Sequence, residues 1–268
     1  MIKTALSNTI TLMPGAYIAP DVILEEHIYI GANAVVLAHN EKTHEPTNEP
    51  TIIRTGVEIG ANATIYPGLI IGTKARITHG SVVTRSVPPF AIVAGNPAYI
   101  QGYVETTGQH AGLPRQLSPA QPGVRTSSVK GVTLHTFKSV LDLRGNLSAG
   151  EFNREIPFIP KRYFLVFNVP SAETRGEHAH LQCEQFLIAI KGNVSVVADD
   201  GYAREEFLLN ELNMGLYLPP MTWGIQYRYS TESVLLVFAS EYYNANDYIR
   251  DYTEFQKLAL KPGVNICN

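Results

Sequence analysis

An aliphatic residue stands at every sixth position over two long stretches of this chain. Ile53, Ile59, Ile65, Ile71, Ile77 and Val83 form one series; Leu12, Ile18, Leu24, Ile30 and Val36 form another. Six is the period of neither an α-helix nor an ordinary strand, whose side chains repeat every ~3.6 and ~2 residues. At average composition, six consecutive hits have a chance of roughly 10⁻⁴ per starting position. The pattern predicts a parallel β-helix, in which each short strand stacks its inward residue on that of the next coil. Gly31, Gly60 and Gly72 each follow an aliphatic position, where a tight corner favours a residue without Cβ.

The phase slips once, because Val36 and Ile53 are 17 residues apart. The polar run from His39 to Pro50 is therefore thrown out of the coil as a loop, and loops on rigid scaffolds often carry function. From 105 to 130 the chain is rich in Gly, Pro, Ser, Thr and Gln with little apolar periodicity, and reads as a linker between domains 1–104 and 131–268. Beyond it, Tyr163–Val169, Gln185–Ile190, Val194–Ala198, Leu216–Leu218 and Val234–Ala239 are rich in β-branched and aromatic residues. Short strands without helices between them predict an antiparallel barrel or sandwich. A closing helix is expected after an N-cap at Asp247, with Tyr248, Tyr252, Phe255 and Ala259 on one face.

Composition narrows the function classes. A chain of 268 residues, 45% apolar and 17% charged, is long enough for one large globular domain or two ordinary ones. A net charge of −3 and a pI near 6.2 give no overall basic excess for nucleic acid. No apolar run is long enough for a membrane helix. The first 20 residues carry one Lys and no long apolar core, so no signal peptide is expected. Two cysteines, Cys183 and Cys267, make no disulfide framework. A cytoplasmic protein follows as the expectation, with neither nucleic acid nor membrane as partner.

In the second half, His178 and His180 are two residues apart on a strand, so both imidazoles face the same way. Glu184 follows at a spacing used in metal sites, but 218–226 adds no further His. A set short of a ligand is a poor metal site. Acid–base work by the imidazoles is the better reading, and the expected metal content is none.

Two resemblances sharpen this. Residues 1–104 resemble the left-handed β-helix (hexapeptide-repeat) acyltransferases, most closely at Ile59–Ile65 and Val82–Ala98. The latter run resembles the end of the coenzyme A groove in enzymes acting on nucleotide-linked aminosugars. The resemblance implies acetyl-CoA as co-substrate, with Asn40 and His39 as loop site residues and His44 as a further possibility. Coenzyme A would meet Arg85 at its phosphates, Asn96 and Pro97 at its adenine end, and backbone near Ala61 and Thr78 at its pantetheine. His79 is read as a corner or packing residue.

Residues 131–260 resemble the cupin sugar 3,4-ketoisomerases acting on dTDP-4-keto-6-deoxyglucose. Carrying this are Ile156–Phe164, Arg175–His180, Gln185–Ile188, Leu216–Pro220, Ser240–Tyr242 and Asp247–Tyr252, in that order. Leu181 departs from the family, which often has Lys there. The resemblance implies an all-β protein, β-helix plus cupin jelly roll. It also implies metal-free enolisation, with His178 or His180 as proton shuttle. Tyr163 and Arg162 would orient the sugar, Arg175 would meet the diphosphate, and Gln185, Tyr217 and Trp223 would line the pocket. Together the halves imply an enzyme that isomerises a dTDP-sugar and later acetylates its 3-amino derivative. The rivals are a 3,5-epimerase or a non-catalytic nucleotide-sugar-binding cupin in the second half. Trimeric β-helices and dimeric cupins in one chain imply a hexamer.

Overall fold

The computed structural model describes residues 9–38, 49–108, 122–170 and 173–260. The chain divides after Glu105 into two compact units. In the first, two-residue strands stack into three parallel sheets. One joins Thr11–Leu12, Tyr29–Ile30, Glu58–Ile59 and Arg76–Ile77; another joins Tyr17–Ile18, Val35–Val36, Thr64–Ile65 and Val82–Val83; the third joins Ile23–Leu24, Ile52–Ile53 and Ile70–Ile71. Glu58 lies in register with Arg76, and Ile59 with Ile77. Three hexads thus make one coil of a three-sided parallel β-helix. Ile30, Val36, Ile53, Ile59, Ile65 and Ile71 are fully buried, which is why the period of six is so strict.

Gly60 shows why a corner needs glycine. A Cβ there would stand 2.6 Å from the backbone N of His79 and 2.8 Å from the carbonyl O of Ile77. Where the polar excursion intervenes, register lengthens: Tyr29 pairs with Glu58 and Val35 with Thr64. Residues 39–48, and with them His39, Asn40 and His44, lie outside the described residues. The unit ends in an antiparallel hairpin of Ala91–Gly95 and Ala98–Tyr103.

The segment read as a linker contributes strands to the second unit at both ends. Thr107–Gly108 pairs with Glu205–Glu206, and β1 (Gly123–Thr126) pairs with β2 (Thr133–Thr136). Glu205 explains the attachment, since its carboxylate accepts hydrogen bonds from Arg125, Ser127 and the Ser128 backbone.

The second unit continues through β3 (Arg162–Phe167), β4 (Arg175–His180), β5 (Gln185–Lys191), β6 (Val194–Asp199), β7 (Arg204–Leu209), β8 (Met214–Leu218), β9 (Trp223–Tyr227), β10 (Val234–Ala239) and β11 (Tyr248–Ile249) to α1 (Tyr252–Ala259). Two six-stranded sheets form. One runs in the order β1-β2-β8-β5-β10-β3, the other from Thr107–Gly108 through β7-β6-β9-β4 to β11. Leu187, Val196, Ala198, Leu209, Leu216 and Leu235 are among the buried residues of the shared core. This is the expected cupin sandwich. The helix begins later than the sequence suggested: Asp251, not Asp247, caps it by accepting from the Glu254 N–H at 2.8 Å, and Tyr248 belongs to a strand.

Candidate active site

A cavity in the second unit is lined by His178, His180, Cys183, Gln185, Leu218, Pro219, Thr222, Gly224 and Gln226. Strand alternation brings the two imidazoles together on β4, with ring centroids 5.0 Å apart. A bulge between Gly176 and His178 shifts the register so that His178 stands opposite Gly224 of β9. Gly176 is needed there, because it has φ +83° and a Cβ would stand 2.5 Å from the Gly224 carbonyl O.

Hydrogen bonds assign the tautomers. His180 Nδ1 lies 2.7 Å from Asp247 Oδ2, and a carboxylate only accepts, so Nδ1 carries the proton. Its other nitrogen, Nε2, accepts from the Gln185 side-chain amide at 3.0 Å. His178 Nδ1 donates to the Gly176 carbonyl at 2.8 Å, which leaves Nε2 as a bare lone pair without a hydrogen-bond partner among the described residues. Burial pushes the His178 pKa down from 6.5 to about 4, against the Gly176 hydrogen bond; neighbouring His180 and Arg250 act in the same direction. Burial also lowers the His180 pKa, opposed by Asp247 and assisted by Arg162 and Arg250. Both rings are therefore neutral near pH 7, and His178 Nε2 is a free base at the cavity.

Asp247 is the residue that the sequence reading missed. Besides His180 it accepts from the Gln182 N–H at 2.7 Å and the Cys183 N–H at 3.3 Å. The words Arg175–His180 and Asp247–Tyr252 were both visible, but the 67-residue separation concealed that they form a dyad. Tyr248 packs against both imidazoles, with centroids 4.9 Å from His178 and 4.3 Å from His180. The Arg250 guanidinium lies 4.4 Å from its ring centre.

Other expected residues fall in different places. Gln185 is in the site. Arg162 does not line the cavity; it donates to the Glu241 carbonyl at 3.0 Å and acts electrostatically on His180. Arg175 is exposed at the start of β4, opposite Gln226. Three assignments need correction. Tyr163 is 67% exposed, on the face of β3 opposite Arg162, because neighbours on a strand alternate. Tyr217 turns from the cavity to donate to Glu184 Oε2 at 2.5 Å, beside Phe158. Trp223 lies on the face of β9 opposite Gly224 and Gln226, against Tyr252 and Phe255 of the helix region.

The cupin metal set does not fit. Glu184 is engaged by Tyr217, and 218–226 supplies no imidazole.

In the first unit, the backbone groups expected to hold pantetheine are used internally. Ala61 N–H donates to His79 Nδ1 at 2.9 Å, and Ala61 O accepts from Gly80 N–H at 2.8 Å. Thr78 N–H donates to Val93 O at 3.0 Å, and its hydroxyl meets Ser81 Oγ at 2.8 Å. Stacked coils thus satisfy one another's amide N–H groups, so pantetheine contacts at Ala61 and Thr78 would have to use the second lone pair of their carbonyls. His79 is a corner residue, as read. Arg85 is exposed after Val82–Val83, and Asn96 and Pro97 form the turn of the closing hairpin.

Comparison with known proteins agrees with this division. A TDP-4-oxo-6-deoxy-α-D-glucose-3,4-oxoisomerase of Aneurinibacillus thermoaerophilus is 41% identical over 125 residues, 47% of this chain and 90% of that protein. A dTDP-3-amino-3,6-dideoxy-α-D-galactopyranose 3-N-acetyltransferase of the same organism is 54% identical over 54 residues, 20% of this chain but only 28% of that protein. A sugar 3,4-ketoisomerase from Thermoanaerobacterium thermosaccharolyticum, solved in complex with TDP, is 35% identical with a TM-score of 0.47, covering 48% of this chain and 95% of that one. The family model described as FdtA: WxcM-like, C-terminal, matches residues 130–260. With an oxoisomerase relative matched over nearly its whole length, this chain belongs, through its second unit, to that family of sugar 3,4-ketoisomerases.

Proposed function

We propose that the chain joins a 3,4-ketoisomerase for dTDP-4-keto-6-deoxyglucose to an acetyl-CoA-dependent N-acetyltransferase for the derived 3-amino sugar. The observation that carries the isomerase reading is the bare Nε2 of His178 in a lined cavity, beside a His180 held by Asp247 and Gln185. His178 removes the C3′ proton, made acidic by the adjacent C4′ ketone. The electron pair moves into an enediolate. Oxygen at C4′ gains a proton, oxygen at C3′ loses one, and carbon C4′ is reprotonated, so the product is an isomer of the substrate. His180, whose two nitrogens are engaged by Asp247 and Gln185, positions His178 through their edge-on ring contact. Arg162 is the proposed residue to orient the substrate, and Arg175 the proposed partner of the diphosphate, a reading supported by its exposure and by the match of guanidinium to phosphate geometry. No step requires a metal.

The acetyltransferase reading rests on the β-helix and on the similarity to a sugar 3-N-acetyltransferase. Asn40 and His39 remain the proposed site residues, with Arg85, Asn96 and Pro97 along the coenzyme A path. An aminotransferase must act between the two steps, and the product suits a surface polysaccharide such as an O-antigen or S-layer glycan. Nucleotide-sugar and acetyl-CoA supply place the protein in the cytoplasm; among the described residues no helix is long and apolar enough to cross a membrane.

The His180–Asp247 pair lends the epimerase rival one feature, a His–Asp dyad. Proton NMR of the product separates the two. Ketoisomerisation moves the ketone from C4′ to C3′, and a product with its ketone still at C4′ and inverted C3′ or C5′ would overturn the proposal.

A further inference from the structure

Three donor atoms of different chemistry meet at the dyad. One ligand atom from each of His180, Cys183 and Asp247 lies within 4.8 Å of the others. Cys183 is a free cysteine, only 2% exposed, and it lines the same cavity as His178. The set is distinct from the cupin metal set rejected above, since it omits His178 and Glu184 and adds a thiol. Tertiary contacts fix its geometry. Leu181 N–H donates to the Asp247 backbone carbonyl at 2.9 Å, and Gln182 and Cys183 N–H groups hold the Asp247 carboxylate. The end of β4 and the residue before β11 are thereby tied together around the thiol.

We infer that His180, Cys183 and Asp247 form a site for a thiophilic divalent cation such as zinc, whose binding switches the isomerase off. The switch rests on the isomerase reading; the site does not. Zinc accepts nitrogen, thiolate and carboxylate donors at about 2.0–2.3 Å, with water as a fourth ligand. The protons balance. The Cys183 thiol loses its proton to solvent. The His180 proton moves from Nδ1 to Nε2, so the ring stays neutral while Nδ1 binds the metal. Gln185 turns its amide to offer Oε1 to the new N–H. Thiolate, carboxylate and cation then sum to zero charge, which suits a buried site. The metal replaces the His180–Asp247 hydrogen bond and rebuilds the wall of the cavity beside His178.

The test uses the full-length chain, with cobalt(II) as spectroscopic probe and zinc as inhibitor. Wild type and Cys267→Ser should both show a thiolate-to-cobalt charge-transfer band, and Cys183→Ser should not. Zinc should suppress the isomerase rate of wild type and Cys267→Ser, and a chelator should restore it. Loss of a ligand costs at least as much as loss of an outer-shell partner, so Cys183→Ser should bind zinc about 10- to 100-fold more weakly. Its rate with zinc, divided by its own metal-free rate, should rise toward one. A band that survives in Cys183→Ser, or no band in wild type, overturns the site. Equal zinc inhibition of wild type and Cys183→Ser, or binding without inhibition, overturns the switch. If the wild type showed no isomerase activity, the switch would fall with that reading, and the cobalt band would still decide the site.

Discussion

His178 and His180 are two residues apart and do different work, because their partners differ. A backbone carbonyl takes the His178 Nδ1 proton and leaves Nε2 bare, whereas a carboxylate and an amide occupy both nitrogens of His180. His178→Asn should therefore lower isomerase kcat by about 10²- to 10⁴-fold, the usual contribution of a general base. Asp247→Asn should also lower it, by disturbing the His180 tautomer. Neither change should alter acetyl transfer. A His178→Asn enzyme with wild-type kcat would remove the base from this position. The pH dependence has a definite sign. A base works when deprotonated, so kcat/KM should rise with pH through the depressed His178 value, about 4, and be flat near neutrality. An acid limb centred near the ordinary histidine value of about 6.5 would contradict the burial argument. Stability follows the same linkage. The folded His178 pKa lies below the unfolded one, so its contribution is complete above pH 6.5 and is lost as pH falls toward about 4. Urea unfolding across that window should show a declining free energy; a flat profile would mean the ring is more solvated than its burial implies.

At the scale of elements, strand alternation decides what each aromatic does. Gly224 and Gln226 face the cavity, so Trp223, which precedes Gly224 on the strand, must face the other way, where Tyr252 and Phe255 of the helix region cover it. Its indole N–H is buried without a hydrogen-bond partner. Trp223→Ala should then cost about 3–5 kcal/mol of stability in the second unit. Trp223→Phe removes the unsatisfied group while keeping an aromatic ring, and should cost far less, with KM unchanged. A large KM effect from Trp223→Phe would restore it as a pocket residue. In the β-helix, Gly60→Ala should lower the thermal midpoint of the first unit, because its Cβ meets backbone atoms of the next coil that cannot move aside. Isomerase activity is the internal control, since the isomerase cavity lies wholly within the second unit.

For the molecule as a whole, the proposed assembly is six chains. A three-fold contact between β-helices and a two-fold contact between cupins close together as a D₃ hexamer. The outer face of β3 shows what a two-fold contact would cover: Tyr163, Leu165 and Phe167 are 67%, 43% and 56% exposed in one row. Light scattering should give about six times the chain mass of 29.5 kDa. A clean trimer would mean that the cupin contact is absent. Charged substitutions at Leu165 and Phe167 should convert a hexamer to trimers and leave the β-helix contact intact.

Much of this architecture was legible before any coordinates. The β-helix is a local repeat in which each hexad carries its own inward residue, so a one-dimensional period reads out a three-dimensional core. The pairing of His178 with His180 was equally local, because two residues on one strand share a face. What the sequence could not decide was contact across long separations. Asp247 joins His180 through strand pairing at the sheet edge, where Ala179 meets Ile249 and His180 meets Tyr248. β7 was unrecognisable as a strand, since Arg204, Glu205 and Glu206 look solvent-exposed, yet all three are buried. Asp199 and Arg125 neutralise Arg204 and Glu205, and only the tertiary fold supplies those partners. Tyr163, Tyr217 and Trp223 were misplaced for the same reason. Residue type shows that an aromatic ring will be covered or will bind something; the face of its strand, and what packs there, decides which.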